Sequence, residues 1–203
     1  MTDYPEAAGP LAGLKAEREF YVGIDSDGCA FDTMEIKHKE CFIPNIIKHW
    51  DLQPVSKYAR EAAEFVNLYS KWRGINRFPA LLMVFDLLAQ RAEVQRRGVA
   101  MPEVPTLRKW VDTETRLGNP TLTALVEKTP DPVLKRTLDW SEAVNATIAD
   151  MVYGVPPFPF VRESLEKMCA QADAIVVSAT PNEALEREWE EHDIAKNCAV
   201  IAG

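Results

Sequence analysis

The sequence predicts an α/β protein in which a parallel-sheet core is interrupted by a large helical insert. The apolar run Phe20–Ile24 leads into an acidic segment, Asp25–Cys29, which indicates a buried first strand with carboxylates at its end. Helical periodicity then dominates residues 34–153. After the proline-rich joint Gly154–Pro159, the pattern changes to helix, strand, helix and strand. This order is typical of a parallel core that is split by an inserted domain.

We therefore expect three segments along the chain. Residues 1–33 comprise a Pro- and Ala-rich leader and the first strand of the core. Residues 34–153 form the helical insert, and residues 154–203 return to the core. Since proline lacks an amide proton and restrains the residue before it, the joint at 154–159 is a natural boundary.

Apolar residues in the insert recur at spacings of three, four and seven, which predicts amphipathic helices whose apolar stripes form the core. The stripes are Ile36, Ile43, Ile47 and Trp50; Val55, Ala59, Ala62, Val66 and Tyr69; Leu81, Leu82, Phe85, Leu88, Ala89 and Ala92; and Val133, Trp140, Val144, Ile148 and Met151. The third stripe belongs to a helix with Pro79 in its first turn and a stop at Gly98. Other helices are expected over 107–117, 120–128 and 132–152.

The last segment has short elements. They are a helix over Phe160–Gln171, a strand over Ala174–Val177, a helix ending near His192 and a strand over Cys198–Ile201. Thr180 and Glu183 have the spacing of a capping box, with Pro181 at the first helical position, so we expect Thr180 to cap the second of these helices.

Composition limits the function classes. The 203 residues carry a net charge of -8, which argues against a nucleic-acid groove lined by clustered Lys and Arg. No apolar stretch reaches the length of a membrane span, and the start lacks the apolar centre of a signal peptide. Four scattered cysteines favour reduced thiols over a disulfide framework or zinc module. We expect a cytoplasmic protein that binds neither nucleic acid nor membrane.

The chemistry is expected at the ends of the first two strands, because ligands of open α/β sheets bind at the carboxyl ends of strands. Asp25 and Asp27 lie one residue apart in a turn. With a divalent cation, the first could act as nucleophile and the second could donate a proton to the leaving oxygen. Gly28 lets the backbone approach a bound anion, and Ser178 ends the second strand with a hydroxyl.

Two segments resemble the first two motifs of the haloacid dehalogenase superfamily. Phe20–Thr33 contains Asp25-Ser26-Asp27-Gly28 followed by Phe31-Asp32-Thr33, and Ile175–Thr180 is a strand ending in a hydroxyl residue. The resemblance implies a Rossmann-like core, an aspartyl-phosphate intermediate and Mg²⁺ held by Asp25 and Asp27. It also implies phosphate binding by Gly28, Ser178 and Ala179. The insert resembles, in position and helical character, the mobile cap that some members carry between these motifs.

Within that superfamily, the residue two positions after the nucleophile separates reaction classes. Dehalogenase-like members lack an acid there, whereas phosphatases and phosphomutases carry aspartate, which is Asp27 here. The resemblance therefore implies a Mg²⁺-dependent phosphohydrolase acting on a small phosphorylated metabolite. Asp27 would protonate the leaving alcohol and later activate water. A phosphomutase or phosphotransferase, with an alcohol as acceptor, is the alternative within the same fold.

The chain departs from the family pattern in two respects. Cys29 stands where threonine is usual. The chain stops at Gly203, so the third-motif lysine and the fourth-motif acids have no counterpart, and Lys196 lies before the last strand, in the wrong place for that lysine. We expect the 203-residue chain alone to be inactive. A non-catalytic binding protein or fragment that keeps the fold is the alternative from another class; a reading frame that continues through the missing motifs would favour the enzyme.

In the insert, the segment 71–77 joins two helices and mixes cations, an amide and an aromatic ring. Arg73, Asn76 and Arg77 are candidates for contacts with an anionic substrate, since arginine favours bidentate oxyanion contacts. The alternative is a solvated turn whose cations compensate a helix dipole. The sequence leaves the substrate open. It also leaves the oligomeric state open, with a homodimer as one option.

Overall fold

The computed structural model describes residues 9–178, 180 and 182–203, and the chain divides into two compact units. Unit 1 comprises Met1–Met34 and Val152–Gly203, and unit 2 comprises Glu35–Met151. The strands are β1 (Phe20–Ile24), β2 (Ala172–Val177) and β3 (Val200–Ala202). The α-helices are α1 (Thr33–Ile36), α2 (Ile43–His49), α3 (Ser56–Glu64), α4 (Arg77–Gln90), α5 (Ala92–Arg96), α6 (Pro105–Thr113), α7 (Asn119–Lys128), α8 (Pro132–Met151), α9 (Val161–Met168) and α10 (Asn182–Glu191). The predicted α/β class is confirmed.

The sheet of unit 1 is parallel, with the order β1-β2-β3. Phe20 pairs with Ala172 and Ile24 pairs with Val176, so the carboxyl ends of β1 and β2 lie side by side. The prediction that β1 is buried is wrong. Among the described residues β1 pairs with β2 alone, and Phe20 and Tyr21 are 56% and 51% exposed. An apolar run predicts a strand, but it does not reveal whether both edges of that strand are covered.

The core of unit 1 forms where helices α9 and α10 cover the sheet. Its buried members are Ala30, Phe31, Leu165, Ala174, Val176, Leu185, Trp189 and Ile194. Helix α9 begins one residue later than predicted, because Phe160 has a left-handed backbone with φ of 70° and cannot continue a helix. Ala174 and Val176, the two β2 residues in this cluster, are two positions apart, which is the spacing of side chains on the same sheet face.

Asp173 is a buried carboxylate in β2 that holds the segment preceding β1. Its Oδ2 accepts the Glu17 amide at 2.9 Å and the Arg18 amide at 3.1 Å, and the residue is 5% exposed. Replacing Asp173 by Ala should cost about 1–3 kcal/mol, since two amides lose their acceptor. Chemical denaturation measures this cost, with Asp112→Ala, an exposed position on α6, as the control. Equal unfolding midpoints for the two variants would contradict the structural role.

The core of unit 2 confirms most of the predicted apolar stripes. Its buried members include Ile43, Ile47, Trp50, Val55, Ala59, Ala62, Val66, Leu81, Leu82, Phe85, Leu88, Trp140 and Val144. Aromatic rings meet edge to face, with Trp50 5.0 Å from Phe85 and Phe78 4.9 Å from Trp110. Four stripe residues were predicted wrongly, because each lies at or next to the end of a helix and is exposed: Tyr69, Ala89, Ala92 and Met151.

Two predicted helices contain π-helical turns, and a third predicted helix ends earlier than expected. Lys37–Phe42 and Phe65–Tyr69 are π-helical, within continuous helical stretches that begin at Thr33 and Ser56. The helix expected to reach Gly98 ends at Gln90, because Arg91 is extended. The Arg91 guanidinium lies 4.8 Å above the Tyr58 ring and pairs with Glu61, tertiary contacts that a local sequence pattern does not encode. None of the helices in the described ranges has the length and apolarity needed to cross a membrane.

Candidate active site in unit 1

A tight loop after β1 presents the two acids. The amides of Ala30 and Phe31 both donate to the Ser26 carbonyl, at 2.9 and 3.0 Å, which folds the loop back on itself. Gly28 has φ of 74°, a left-handed conformation that favours glycine. Its amide donates to the Phe31 carbonyl at 2.7 Å. Gly28 therefore shapes the loop, and its own N–H is already used within it.

Asp25 directly follows β1 and is exposed. Its Oδ1 accepts the Ser26 amide at 2.8 Å, a bond that orients the carboxylate. Because Ile24 is paired with Val176, Asp25 lies at the same end of the sheet as Ser178, which follows β2. As predicted, the first and second strands end side by side.

Asp27 is held through both carboxylate oxygens by hydroxyl groups. Thr33 Oγ1 donates to Oδ1, and Thr180 Oγ1 donates to Oδ2 at 3.0 Å. Thr33 is completely buried, whereas Thr180 comes from the loop after β2. A hydroxyl donates to a carboxylate and can accept from a carboxylic acid, so this cage suits both protonation states of Asp27.

Ser178 lies where β2 ends and is partly exposed. Its amide donates to the Ala202 carbonyl at 3.1 Å, which continues the ladder between β2 and β3. Its Oγ accepts the Thr180 amide at 3.3 Å. The hydroxyl proton of Ser178 has no acceptor among the described residues. Ala179, the other predicted phosphate-binding residue of this loop, and Pro181 lie outside the described residues.

Ser26, between the two acids, is completely buried and anchors the loop to α10. Its Oγ donates to Glu188 Oε2 and accepts from Trp189 Nε1, both at 3.0 Å. Trp189 is itself fully buried, with its ring edge-on to Phe31 at 5.6 Å. The position of Asp25 and Asp27 thus depends on a polar contact inside the core of unit 1.

This anchor predicts a specific cost for Trp189→Phe. The variant keeps most of the apolar burial but removes the N–H donor to Ser26, so we expect a loss of about 1–3 kcal/mol in unfolding free energy. Trp50→Phe is the matched control, because the Trp50 Nε1 is buried without an acceptor among the described residues. Denaturant titration should show a larger loss for Trp189→Phe; an equal or smaller loss would show that the contact with Ser26 contributes nothing.

The three candidates from the insert have contacts within unit 2. Arg73 is exposed. Asn76 is the N-cap of α4: its Oδ1 accepts the Phe78 amide at 3.0 Å, and its Nδ2 donates to the Leu117 carbonyl at 3.0 Å. Arg77 donates to groups on α8. Asn76, predicted to contact an anionic substrate, therefore has a structural role as a helix cap.

The donor set for Mg²⁺ is small. No group of three or more His, Cys, Asp or Glu side chains in the described ranges could hold a metal ion. Mg²⁺ is commonly bound by one or two carboxylates, with the rest of its shell from water and substrate phosphate. The exposed Asp25 carboxylate fits that minimal mode, because Oδ1 keeps a second lone pair beyond its bond to the Ser26 amide. Both oxygens of the Asp27 carboxylate accept hydroxyl protons, so Asp27 is better suited to contribute its main-chain carbonyl.

Sequence reasoning missed four contributors to this site: Thr33, Thr180, Glu188 and Trp189. Thr180 was predicted as a helix cap, yet its hydroxyl reaches Asp27 in another segment. A signal was present in part, since Thr180 lies two residues beyond Ser178 at the same strand end. Glu188 and Trp189 gave none, because a carboxylate and an indole on an amphipathic helix do not reveal their partners.

No family model matches the chain, and neither the curated proteins nor the solved structures gave a match.

Proposed function

We propose that the chain belongs to a Mg²⁺-dependent phosphohydrolase of the haloacid dehalogenase type, acting on a small phosphorylated metabolite through an aspartyl-phosphate intermediate. The observation that carries the proposal is the pair of unlike carboxylates in one loop. Asp25 is exposed with a single backbone donor, while Asp27 is partly buried and caged by two hydroxyls. Two acids in different environments suit different roles.

Asp25 is the nucleophile in this account. The Ser26 amide fixes Oδ1, so Oδ2 attacks the phosphorus atom of the substrate. An oxygen–phosphorus bond to Asp25 forms as the bond from phosphorus to the leaving oxygen breaks. Asp25 is exposed, which leaves room for the phosphoryl group. In this account the Ser178 hydroxyl, at the same end of the sheet, donates its proton to one of the phosphoryl oxygens.

Asp27 moves the proton. In its protonated form it donates to the leaving oxygen, which departs as an alcohol. The resulting carboxylate then accepts a proton from water as that water attacks phosphorus, which releases inorganic phosphate and restores Asp25. Thr33 and Thr180 hold the carboxyl group in place through both steps, because their hydroxyls serve either protonation state.

Mg²⁺, held by the Asp25 carboxylate and the Asp27 carbonyl, would supply positive charge to offset the phosphoryl oxygens. This protein's net charge of -8 makes such a local device necessary, since a dianionic substrate otherwise meets an acidic surface.

The test is release of inorganic phosphate by the product of the complete reading frame. A panel of phosphorylated metabolites is incubated with Mg²⁺, and in parallel with a chelator. We expect metal-dependent phosphate release from at least one small metabolite, and product analysis separates transfer to water from transfer to an alcohol. No release and no transfer from any panel member, with Mg²⁺ bound and the protein folded, would contradict the proposal.

A further inference from the structure

Arg77, in the first turn of α4, has only neutral partners. Its Nη1 donates to the Ser141 carbonyl at 3.2 Å, to Ser141 Oγ at 3.0 Å and to Asn145 Oδ1 at 2.7 Å. The guanidinium carbon lies 5.1 Å from the centre of the Phe42 ring. These groups orient the guanidinium but bring no negative charge to it.

Three other arginines of unit 2 form ion pairs, whereas those without one are exposed. Arg91 pairs with Glu61, Arg108 pairs with Asp86, and Arg136 lies 3.3 Å from Asp51. Arg77 forms no ion pair with any described residue. Burial lowers its pKa to about 10. The group is still a cation at neutral pH. A partly buried charge without a counter-charge is costly, and an anion bound beside Arg77 would offset that cost.

Hydrogen-bond capacity remains around this cation. A guanidinium has five N–H donors, and the three acceptors above all meet Nη1, so Nη2 and Nε have no acceptor in the described ranges. Ser141 Oγ donates to Asn119 Oδ1 at 2.6 Å, which orients the Asn119 side-chain amide. The Asn145 amide is oriented in the same way by Arg77 Nη1. The Nδ2 groups of Asn119 and Asn145 form no hydrogen bond with described residues. They are further donors beside the same cation.

We propose that unit 2 contains an oxyanion-binding site anchored by Arg77, with the side-chain amides of Asn119 and Asn145 as additional donors. The ligand class is a carboxylate or phosphate group of a small molecule, because a guanidinium fork matches two oxygens of either group. The guanidinium also lies over the Phe42 ring, where a cation–π contact adds to its stabilisation. The site lies within one unit and stands independently of the function proposed for unit 1.

The experiment follows thermal unfolding of the 203-residue chain in sodium phosphate, sodium acetate and sodium chloride at equal ionic strength. The midpoint of the wild-type protein should rise with the logarithm of phosphate or acetate concentration, beyond the rise in chloride. Stabilisation by only one of the two identifies which oxyanion the site takes. The Ser178→Ala variant should retain the effect, which separates it from anion binding in unit 1.

Variants decide whether Arg77 is the anchor. Arg77→Gln should weaken the apparent affinity at least about tenfold, the loss expected for a charged hydrogen bond. Arg73→Gln, an exposed arginine four residues earlier, is the control that should leave the affinity unchanged. Arg77→Lys keeps the charge without the fork and should weaken binding while it preserves folding.

Asn145→Asp gives the sharpest arm. It places a carboxylate where the Asn145 carbonyl oxygen now lies, 2.7 Å from Arg77 Nη1, and so supplies the missing counter-charge from within the chain. This variant should unfold at a higher temperature than the wild-type protein and should lose the stabilisation by phosphate or acetate. Anion stabilisation that persists unchanged in both Arg77→Gln and Asn145→Asp, or its absence from the wild-type protein, would overturn the proposal.

Discussion

Replacing Asp25 by Asn should abolish phosphate release by the product of the complete reading frame. The amide is nearly isosteric and keeps an oxygen for the Ser26 N–H, which lies 2.8 Å from Asp25 Oδ1, so the loop should keep its shape. It removes the anionic oxygen that attacks phosphorus. Loss of a nucleophile typically lowers turnover on the order of 10³-fold or more. The measurement is kcat on the best substrate of the metabolite panel, with residual contaminant activity determined from a mock purification.

Asp112→Asn is the matched control for this variant. It makes the same chemical change at an exposed position on α6, in unit 2, where the side chain has no hydrogen bond with described residues. We expect its kcat to equal that of the wild-type protein. If Asp25→Asn retained turnover comparable to this control, the nucleophile assignment would be lost.

Asp27→Asn should lower turnover by roughly 10²–10⁴-fold, the usual contribution of a positioned acid or base. The size of the loss should depend on the leaving group. An alkyl phosphate needs a proton on its leaving oxygen and should show the full effect. An aryl phosphate such as 4-nitrophenyl phosphate leaves as a stable phenolate, so its first step should be affected far less.

Thr180→Val provides a graded partner to that change. It removes the hydroxyl that lies 3.0 Å from Asp27 Oδ2 and leaves the carboxyl group itself. We expect a smaller loss of kcat than for Asp27→Asn, because the carboxyl group stays and loses only one of the two hydroxyl contacts that orient it. Equal losses of Asp27→Asn on alkyl and aryl phosphates would contradict the role of Asp27 in protonating the leaving group.

The acidic loop and the parallel sheet were predictable because their determinants are local. A short apolar run followed by Asp-x-Asp-Gly fixes a strand and a turn, and Gly28 takes the positive φ that such a turn requires. The apolar stripes of the insert predicted its core for the same reason, since the period of a helix is written in consecutive residues.

The remaining features depend on contacts between distant segments. Thr180 reaches Asp27, and Trp189 reaches Ser26, across more than 150 residues of chain. Neither partner differs in type from an ordinary helix cap or core aromatic residue, so their roles follow only from the fold. The edge position of β1 is of the same kind, because the apolar residues Phe20–Ile24 say nothing about what lies on either side.

Arg77 was predicted as a loop residue available to a substrate, and its surroundings differ from that picture. It begins α4 and is oriented by Ser141 and Asn145 on α8. The sequence offers no sign that these partners are neutral. The absence of a counter-charge among them, which carries the proposed oxyanion site, is a tertiary property.

Chemical trapping of the intermediate tests the central claim most directly. The product of the complete reading frame is mixed with its substrate and Mg²⁺, quenched with borohydride during turnover, and digested for peptide mass spectrometry. An aspartyl phosphate is an acyl phosphate, which borohydride reduces to the alcohol, whereas an unmodified carboxylate is not reduced. We predict that the reduced residue is found at Asp25, requires substrate, and does not occur at Asp27. Turnover without reduction at Asp25, or reduction at a different residue, would contradict the account.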